Sequence, residues 1–177
     1  MLSSERVLAR RYALAFYQSA AERGEEAQAN EELAKAARAL ADSMPAFQHP
    51  RVSAQEKKAL LRRLIGESVS DRTLRFLELL VDRKRFGLLP QMTVELGRLH
   101  DEGRGIARAT VRTAMELSEA EGETLKKRLG AFIGKTVVLD VKLDPDLLAG
   151  AVVRLGDWVF DASLKGKLRA MRGRLTA

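Results

Sequence analysis

Residues 144–171 carry the strongest fold signal in the chain, with the sequence DPDLLAGAVVRLGDWVFDASLKGKLRAM. Two apolar runs, residues 151–155 and 158–160, are separated only by Gly156 and Asp157. A two-residue loop with glycine first predicts a type II′ β-hairpin, because glycine adopts the positive φ of the first loop position at little cost. The cross-strand pairs expected in this register are Leu155 with Trp158 and Val153 with Phe160.

A basic helix is expected after the hairpin, capped by Asp161 or Ser163. Apolar residues then recur at helical spacing, namely at Leu164, Leu168, Met171 and Leu175. Residues 162–177 also contain five Lys or Arg and no acidic residue. We expect the apolar stripe of this final helix to pack on the sheet, with the cations facing outward.

Two more strands are predicted upstream of the hairpin. Apolar and polar residues alternate over residues 107–113 and 137–143. In the second strand, Val137, Leu139, Val141 and Leu143 alternate with Val138, Asp140 and Lys142. Between them, a capping box at Ser118 and Glu121 predicts a helix. Its expected inward residues are Leu125, Leu129 and Phe132. Residues 105–177 therefore predict a small α+β domain of about four strands and two helices.

Residues 1–104 have helical periodicity interrupted by glycine and proline, which predicts an antiparallel bundle of five or six helices. The first helix is expected to place Leu8, Tyr12 and Phe16 on one face. A capping box at Ser53 and Glu56 predicts the start of a later helix. The chain is thus an α+β protein with two domains, residues 1–104 and 105–177.

The hairpin segment resembles the C-terminal signature of the delta subunit of the F-type ATP synthase, the oligomycin-sensitivity-conferring protein family. The matching residues are Asp144-Pro145, Ala149-Gly150, Arg154, Gly156-Asp157, Asp161, Ser163 and Lys165-Gly166-Lys167-Leu168. Ala151 and Ala162 stand where the family often has glycine. Earlier segments are also similar to the family, namely ARRYALAFYQSA from Ala9, HPRVSAQEKKALL from His49 and FLELLVDRKRFGLLP from Phe76.

This resemblance implies a non-catalytic stator connector between the peripheral-stalk b subunits and the top of the catalytic alpha/beta hexamer. It would need no cofactor or metal and would be peripheral at the cytoplasmic face of the inner (plasma) membrane. The resemblance implies that the N-terminal bundle binds the N-terminal helix of the alpha subunit, for which the candidate residues are Leu8, Tyr12, Phe16, Leu77 and Val81. The candidates for the stalk or headpiece contact are Lys165, Lys167 and Arg169.

Other interpretations of these residues remain open at this point. The face with Tyr12 and Phe16 is also typical of a core stripe, and the basic tail is also typical of a solvated helix face. The first helix, with Arg10 and Arg11, is similar to the opening of the all-helical bacterial antitermination factors, which bind RNA. The two predicted strand patterns argue against that alternative.

Several kinds of chemistry have weak or no support. The chain has no cysteine, so disulfides and thiolate chemistry are excluded. Residues 130–136, GAFIGKT, come close to a phosphate-binding loop, but they end a predicted helix and open a strand, which is the reverse of the required order. The two histidines, His49 and His100, lack metal-ligand spacing. The net charge is +7, and a basic tail helix can meet an acidic protein surface, nucleic acid or anionic lipid.

Overall fold

The computed structural model describes residues 2–166 and residue 168, with side chains from Ser4 onward. The chain divides into two compact units, Met1–His100 and Asp101–Ala177. The first is helical and the second is built on a β-sheet. The predicted α+β fold class is confirmed.

The helical part of the chain follows the predicted periodicity. It contains α1 (Leu2–Ala21), α2 (Glu26–Ala39), α3 (Met44–Gln48), α4 (Ala54–Ile65), α5 (Asp71–Asp82) and α6 (Leu89–Gly103). The predicted capping box starts α4, since Ser53 N donates to Glu56 Oε2 at 2.8 Å and Glu56 N donates to Ser53 Oγ at 3.2 Å. These bonds satisfy backbone donors that a helix start leaves unpaired.

The core of the helical unit is made of leucines and stacked phenylalanines. Its most deeply buried large apolar residues are Leu33, Leu40, Leu61, Leu77, Leu80, Leu89, Met92 and Leu96. Phe16 stacks on Phe76 with ring centroids 4.3 Å apart, which joins α1 to α5. Phe47 stacks on Phe86 at 4.2 Å.

The expected inward face of α1 is only partly right. Its buried residues are Ala9, Ala13, Phe16 and Ala20. Leu8 and Tyr12 are only half-buried at the edge of the core. Small alanine side chains let α1 approach its neighbours closely, so the helix turns its alanine stripe inward and leaves Leu8 and Tyr12 at the margin.

The second unit contains β1 (Ile106–Thr113), α7 (Glu119–Ile133), β2 (Thr136–Leu143), β3 (Ala151–Leu155) and β4 (Trp158–Asp161). The strand order is β2-β1-β3-β4. Strands β1 and β2 are parallel, and the other two neighbouring pairs are antiparallel. The helix α7 connects the parallel pair and packs over the buried side chains of β1 and β3, among them Val111 and Val153.

The hairpin has the predicted register, with Leu155 opposite Trp158 and Val153 opposite Phe160. Gly156 has a φ of 58°, whereas Asp157 does not have a positive φ. A type I′ turn would need positive φ at both positions, so these angles agree with the predicted type II′ turn.

The inward assignment of Phe132 is wrong, since its side chain is 56% exposed at the end of α7. Val141 and Leu143, on the edge strand β2, are exposed. Leu164 and Leu168 are also exposed, so these two residues do not pack on the sheet as expected. Met171 and Leu175 of the same predicted stripe lie outside the described residues.

Gly134 confirms the structural interpretation of the phosphate-loop-like segment. The helix α7 ends at Ile133, Gly134 adopts a left-handed conformation with a φ of 68°, and β2 begins at Thr136. Left-handed glycine after the last helical residue is a common helix terminator. The segment is therefore a helix end followed by a strand.

Candidate interaction surfaces

The five residues predicted to bind the alpha-subunit helix separate into two groups. Phe16, Leu77 and Val81 are buried in the core of the helical unit, at 5% exposure or less. Leu8 and Tyr12 pack against that core but remain partly accessible. A partner helix could reach Leu8 and Tyr12 directly, whereas the other three would have to act by supporting them from the core.

The exposed side of α1 adds residues that the sequence pattern did not single out. Val7 is 54% exposed and Leu14 is 40% exposed. Ser4, Val7, Leu8 and Arg11 line a shallow depression of about 350 Å³. These four positions follow helical spacing, so they lie on one face of α1, with Val7 and Leu8 on either side of Ser4 and Arg11. The sequence signal that could have identified Val7 and Leu14 is a second apolar stripe on the helix, separate from the alanine stripe.

An ion-pair cluster joins the start of α1 to α6. Glu95 Oε1 accepts hydrogen bonds from Arg6 Nε at 3.2 Å and from an Arg98 guanidinium nitrogen at 3.1 Å. The Glu95 side chain is only 8% exposed. A nearly buried carboxylate that binds two arginines holds this end of α1 in place and so orients the apolar stripe beside it.

Two arginines on β1 are also paired with carboxylates. Arg108 binds Asp101, which is buried, and Arg112 Nε donates to Asp144 Oδ2 at 2.7 Å. The hydrogen bond from Arg112 is the main reason that the pKa of the Asp144 carboxyl lies below its usual value. These pairs lie on the sheet face opposite α7, because their residues alternate with the buried Ala109 and Val111.

The predicted basic contact is described only in part. Lys165 is exposed and lies close enough to Asp144 to help lower the pKa of that carboxyl. Lys167 and Arg169 lie outside the described residues.

Neither a metal site nor a membrane span is found in the part of the chain that the structure describes. No group of three or more His, Asp or Glu side chains in residues 2–166 and 168 is placed to hold a metal ion. Across those same residues, no helix combines the length and the apolar character needed to cross a membrane.

An exposed apolar helix face is typical of a protein that works through contacts with other chains. Comparison with known proteins agrees with this class. A sequence model described as "ATP synthase delta (OSCP) subunit" matches residues 8–175. The ATP synthase subunit delta of Geotalea uraniireducens is 37% identical over 169 residues, covering 93% of this chain and 94% of that protein.

Other relatives extend the comparison. The ATP synthase subunit delta of Desulforamulus reducens is 37% identical over 171 residues, covering 95% of this chain and 94% of that protein. A chain in the cryo-EM structure of the Toxoplasma gondii mitochondrial ATP synthase hexamer shares the fold, with a TM-score of 0.72 at 22% identity and coverage of 96% of this chain and 98% of that chain. The chain belongs to the ATP synthase delta (OSCP) subunit family, a family of structural, non-catalytic subunits.

The alternative of an all-helical RNA-binding antitermination module is wrong. Residues 106–161 contain a four-stranded sheet, and the family match spans both units. Near the start of α1, Arg6 binds Glu95, whereas Arg10 and Arg11, on which the RNA alternative rested, are exposed.

Proposed function

We propose that this chain is the stator connector that links the peripheral-stalk b subunits to the top of the catalytic alpha/beta hexamer of an F-type ATP synthase. It would keep the hexamer from turning with the rotor during proton-driven ATP synthesis. The family match over residues 8–175 carries this proposal. The chain would be peripheral at the cytoplasmic face of the inner (plasma) membrane, held there through the complex.

The proposed contact with the alpha subunit is the outward stripe of α1. An amphipathic helix from the alpha-subunit N-terminus would lay its apolar face on Val7, Leu8 and Tyr12. The exposure of Val7 and the partial exposure of Leu8 and Tyr12 support this choice, because accessible apolar side chains on one side of a helix suit the helix-in-groove mode of recognition. The core residues Phe16, Leu77 and Val81 would support the stripe from within the bundle.

The proposed contact with the stalk is basic. Lys165, Lys167 and Arg169 would meet an acidic surface of the b subunits or of the headpiece. The five cations of residues 162–177, with no acid among them, support an electrostatic contact. Such a contact weakens as the salt concentration rises.

The proposal is tested by calorimetric titration of the full chain with a synthetic peptide of the alpha-subunit N-terminus from the same enzyme. We expect one-to-one binding with a negative heat-capacity change, because apolar surface is buried. Val7→Asp and Leu8→Asp should each weaken binding by about tenfold or more, since each places a charge in an apolar contact. Phe16→Asp is unsuitable, because a charge at this buried position would unfold the bundle.

A matched control is Leu64→Asp, on α4, where the native leucine is 40% exposed. It introduces the same charge at an exposed apolar position away from α1. This variant should therefore bind the alpha-subunit peptide with the affinity of the parent. Circular dichroism establishes that each variant is folded. Unchanged affinity in folded Val7→Asp and Leu8→Asp would contradict the assignment of the alpha-subunit contact to α1.

A further inference from the structure

Backbone pairing of the β3–β4 hairpin continues past Asp161, the last residue of β4. Ala162 N donates to Ala151 O at 3.0 Å, and Leu164 N donates to Ala149 O at 2.9 Å. Leu164 is the first helical residue of the final helix. The chain that leaves β4 therefore folds back on the loop that leads into β3, and the final helix starts against that loop.

Gly150 is enclosed between these two hydrogen bonds. Its φ is 85°, and a Cβ added there would lie 2.5 Å from Ala162 O and 3.0 Å from Ser163 Cα. Both neighbours are backbone atoms, which cannot move aside as the end of a side chain can. A side chain at this position would therefore push the chain after β4 away from the loop, in addition to the conformational cost of a positive φ.

A carboxylate and a hydroxyl hold the same segment. Asp161 Oδ1 accepts hydrogen bonds from Ser163 N at 3.0 Å and from Ser163 Oγ at 2.6 Å. Ser163 Oγ in turn accepts from Gly166 N at 3.0 Å. Ser163 is only 1% exposed, so its hydroxyl bonds lie inside the chain. Ser163 is thus the N-cap of the final helix, and Asp161, the other predicted cap, supports it.

Gly166 stands at the helix position where a capping box has glutamate or glutamine. In this chain the carboxylate comes instead from Asp161, two residues before the cap. A Cβ added at Gly166 would lie 2.6 Å from Asp161 Oδ2 and 2.7 Å from Asp161 Oδ1. The carboxylate can move aside only by giving up its bonds to Ser163. This geometry accounts for a glycine in the first turn of a helix, where alanine is otherwise favoured.

We propose that four residues of the sheet unit form a latch that fixes the start of the final helix at the base of the β3–β4 hairpin. The latch residues are Gly150, Asp161, Ser163 and Gly166. They act by positioning the basic C-terminal segment that follows, and a segment with a fixed starting point loses less conformational freedom in any contact that it makes. This inference goes beyond the proposed function and does not depend on it, since every contact in the latch lies within the chain.

The test measures hydrogen exchange of the Leu164 backbone amide by NMR in the full chain. The acceptor of this amide is Ala149 O, so replacing a latch side chain does not remove the bond directly. Ser163→Ala should speed exchange at Leu164 by about tenfold, because loss of the cap opens the latch. Gly150→Ala should speed it at least as much, because its Cβ would meet Ala162 O. Exchange of the amides within β1 should stay at the parent rate in both variants.

The matched control is Ser118→Ala, which removes the N-cap of α7 and its capping box with Glu121. It should leave exchange at Leu164 at the parent rate. Unchanged exchange at Leu164 in folded Ser163→Ala would overturn the proposal. Equal acceleration at Leu164 and in β1 would also overturn it, because Ser163 would then act on the stability of the whole sheet unit and not on the latch.

A second test uses the close approach of Asp161 and Gly166. Gly166→Ala alone should speed exchange at Leu164 by about tenfold, since the added Cβ displaces the carboxylate from Ser163. In the Asp161→Ala background the same change should slow exchange by about two- to fivefold, because alanine favours a helix over glycine. Effects of the same sign and size in both backgrounds would contradict the latch. Gly122→Ala, which has open space in α7, is the control and should not alter exchange at Leu164.

Discussion

At the scale of single residues, Glu32 has the densest set of hydrogen bonds in the described helical unit. Its Oε2 accepts from Ser70 N at 3.0 Å, from Ser70 Oγ at 2.6 Å and from Thr73 Oγ1 at 2.6 Å. Ser70 is the N-cap of α5, so a carboxylate from α2 is bound at the start of another helix. This is also where the helix dipole favours a negative charge.

These bonds make stability depend on pH. Burial alone would raise the pKa of the Glu32 carboxyl, but the hydrogen bonds from Ser70, Thr73 and Gln28 outweigh it and lower that pKa below the usual 4.5. A group whose pKa is lower in the folded state stabilises the fold above its unfolded pKa. That contribution is lost as the pH falls below about 4, through the lower folded pKa.

We expect Glu32→Gln to lower the free energy of unfolding by about 1–3 kcal/mol at pH 7, because charge-assisted bonds are lost and Thr73 keeps a buried hydroxyl. The difference from the parent should shrink as the pH is lowered through the folded pKa of Glu32. Urea unfolding at pH 7 and in acid measures both effects. The control is Glu31→Gln, which removes an exposed pair with Lys35 and should leave the free energy of unfolding nearly unchanged.

At the scale of elements, the β3–β4 hairpin depends on one backbone angle. Gly156 has a positive φ, and a Cβ added there would meet no atom within 4 Å. Any cost of a side chain at this position is therefore conformational and not steric crowding by neighbours. The hairpin holds Trp158 and Phe160 in register, so this angle also positions those two exposed rings.

We expect Gly156→Ala to lower the free energy of unfolding by about 1–2 kcal/mol, because a left-handed conformation disfavours an L-residue by that amount. Gly122→Ala is the matched control, since an added Cβ there also meets nothing within 4 Å but the residue lies in helix α7. That change should stabilise the protein by about 0.5–1 kcal/mol. Thermal or urea unfolding measures the free energy of unfolding of both variants. Changes of the same sign in the two variants would contradict this account.

At the scale of the whole molecule, the chain combines a helical unit and a sheet unit, each with its own core and its own exposed apolar surface. Two separate surfaces are what a connector requires, because each partner needs its own contact. A structural, non-catalytic subunit influences the reaction only through the position of the subunits that it holds.

We therefore expect the α1 variants to uncouple the enzyme without stopping its chemistry. In inverted membrane vesicles that carry the complex, Leu8→Asp should reduce ATP-driven proton pumping much more than ATP hydrolysis, since an unheld hexamer can turn with the rotor. Pumping is followed by the quenching of a pH-sensitive dye and hydrolysis by phosphate release. Parallel loss of both activities in a fully assembled complex would contradict the connector role, and Leu64→Asp provides the control.

The sequence by itself determined the local structure. Gly156-Asp157 specified the turn and the strand register, Ser53 and Glu56 specified the start of α4, and Gly134 specified the end of α7. Each of these three features depends on backbone angles or hydrogen bonds within about four residues. Neighbouring residues in the sequence therefore determine it. The residue types in the hairpin also carried the family resemblance.

Only the tertiary structure decided which surfaces are covered. Periodicity placed Leu8 and Tyr12 on an apolar face of α1, but packing turned Ala9 and Ala13 inward instead. Periodicity likewise assigned Phe132 to the core, but in the structure this residue of α7 is exposed and contacts Phe160 of β4. The bond between Glu32 and Ser70 links residues 38 positions apart. Burial and long-range pairing depend on the positions of neighbouring elements, which no local pattern contains.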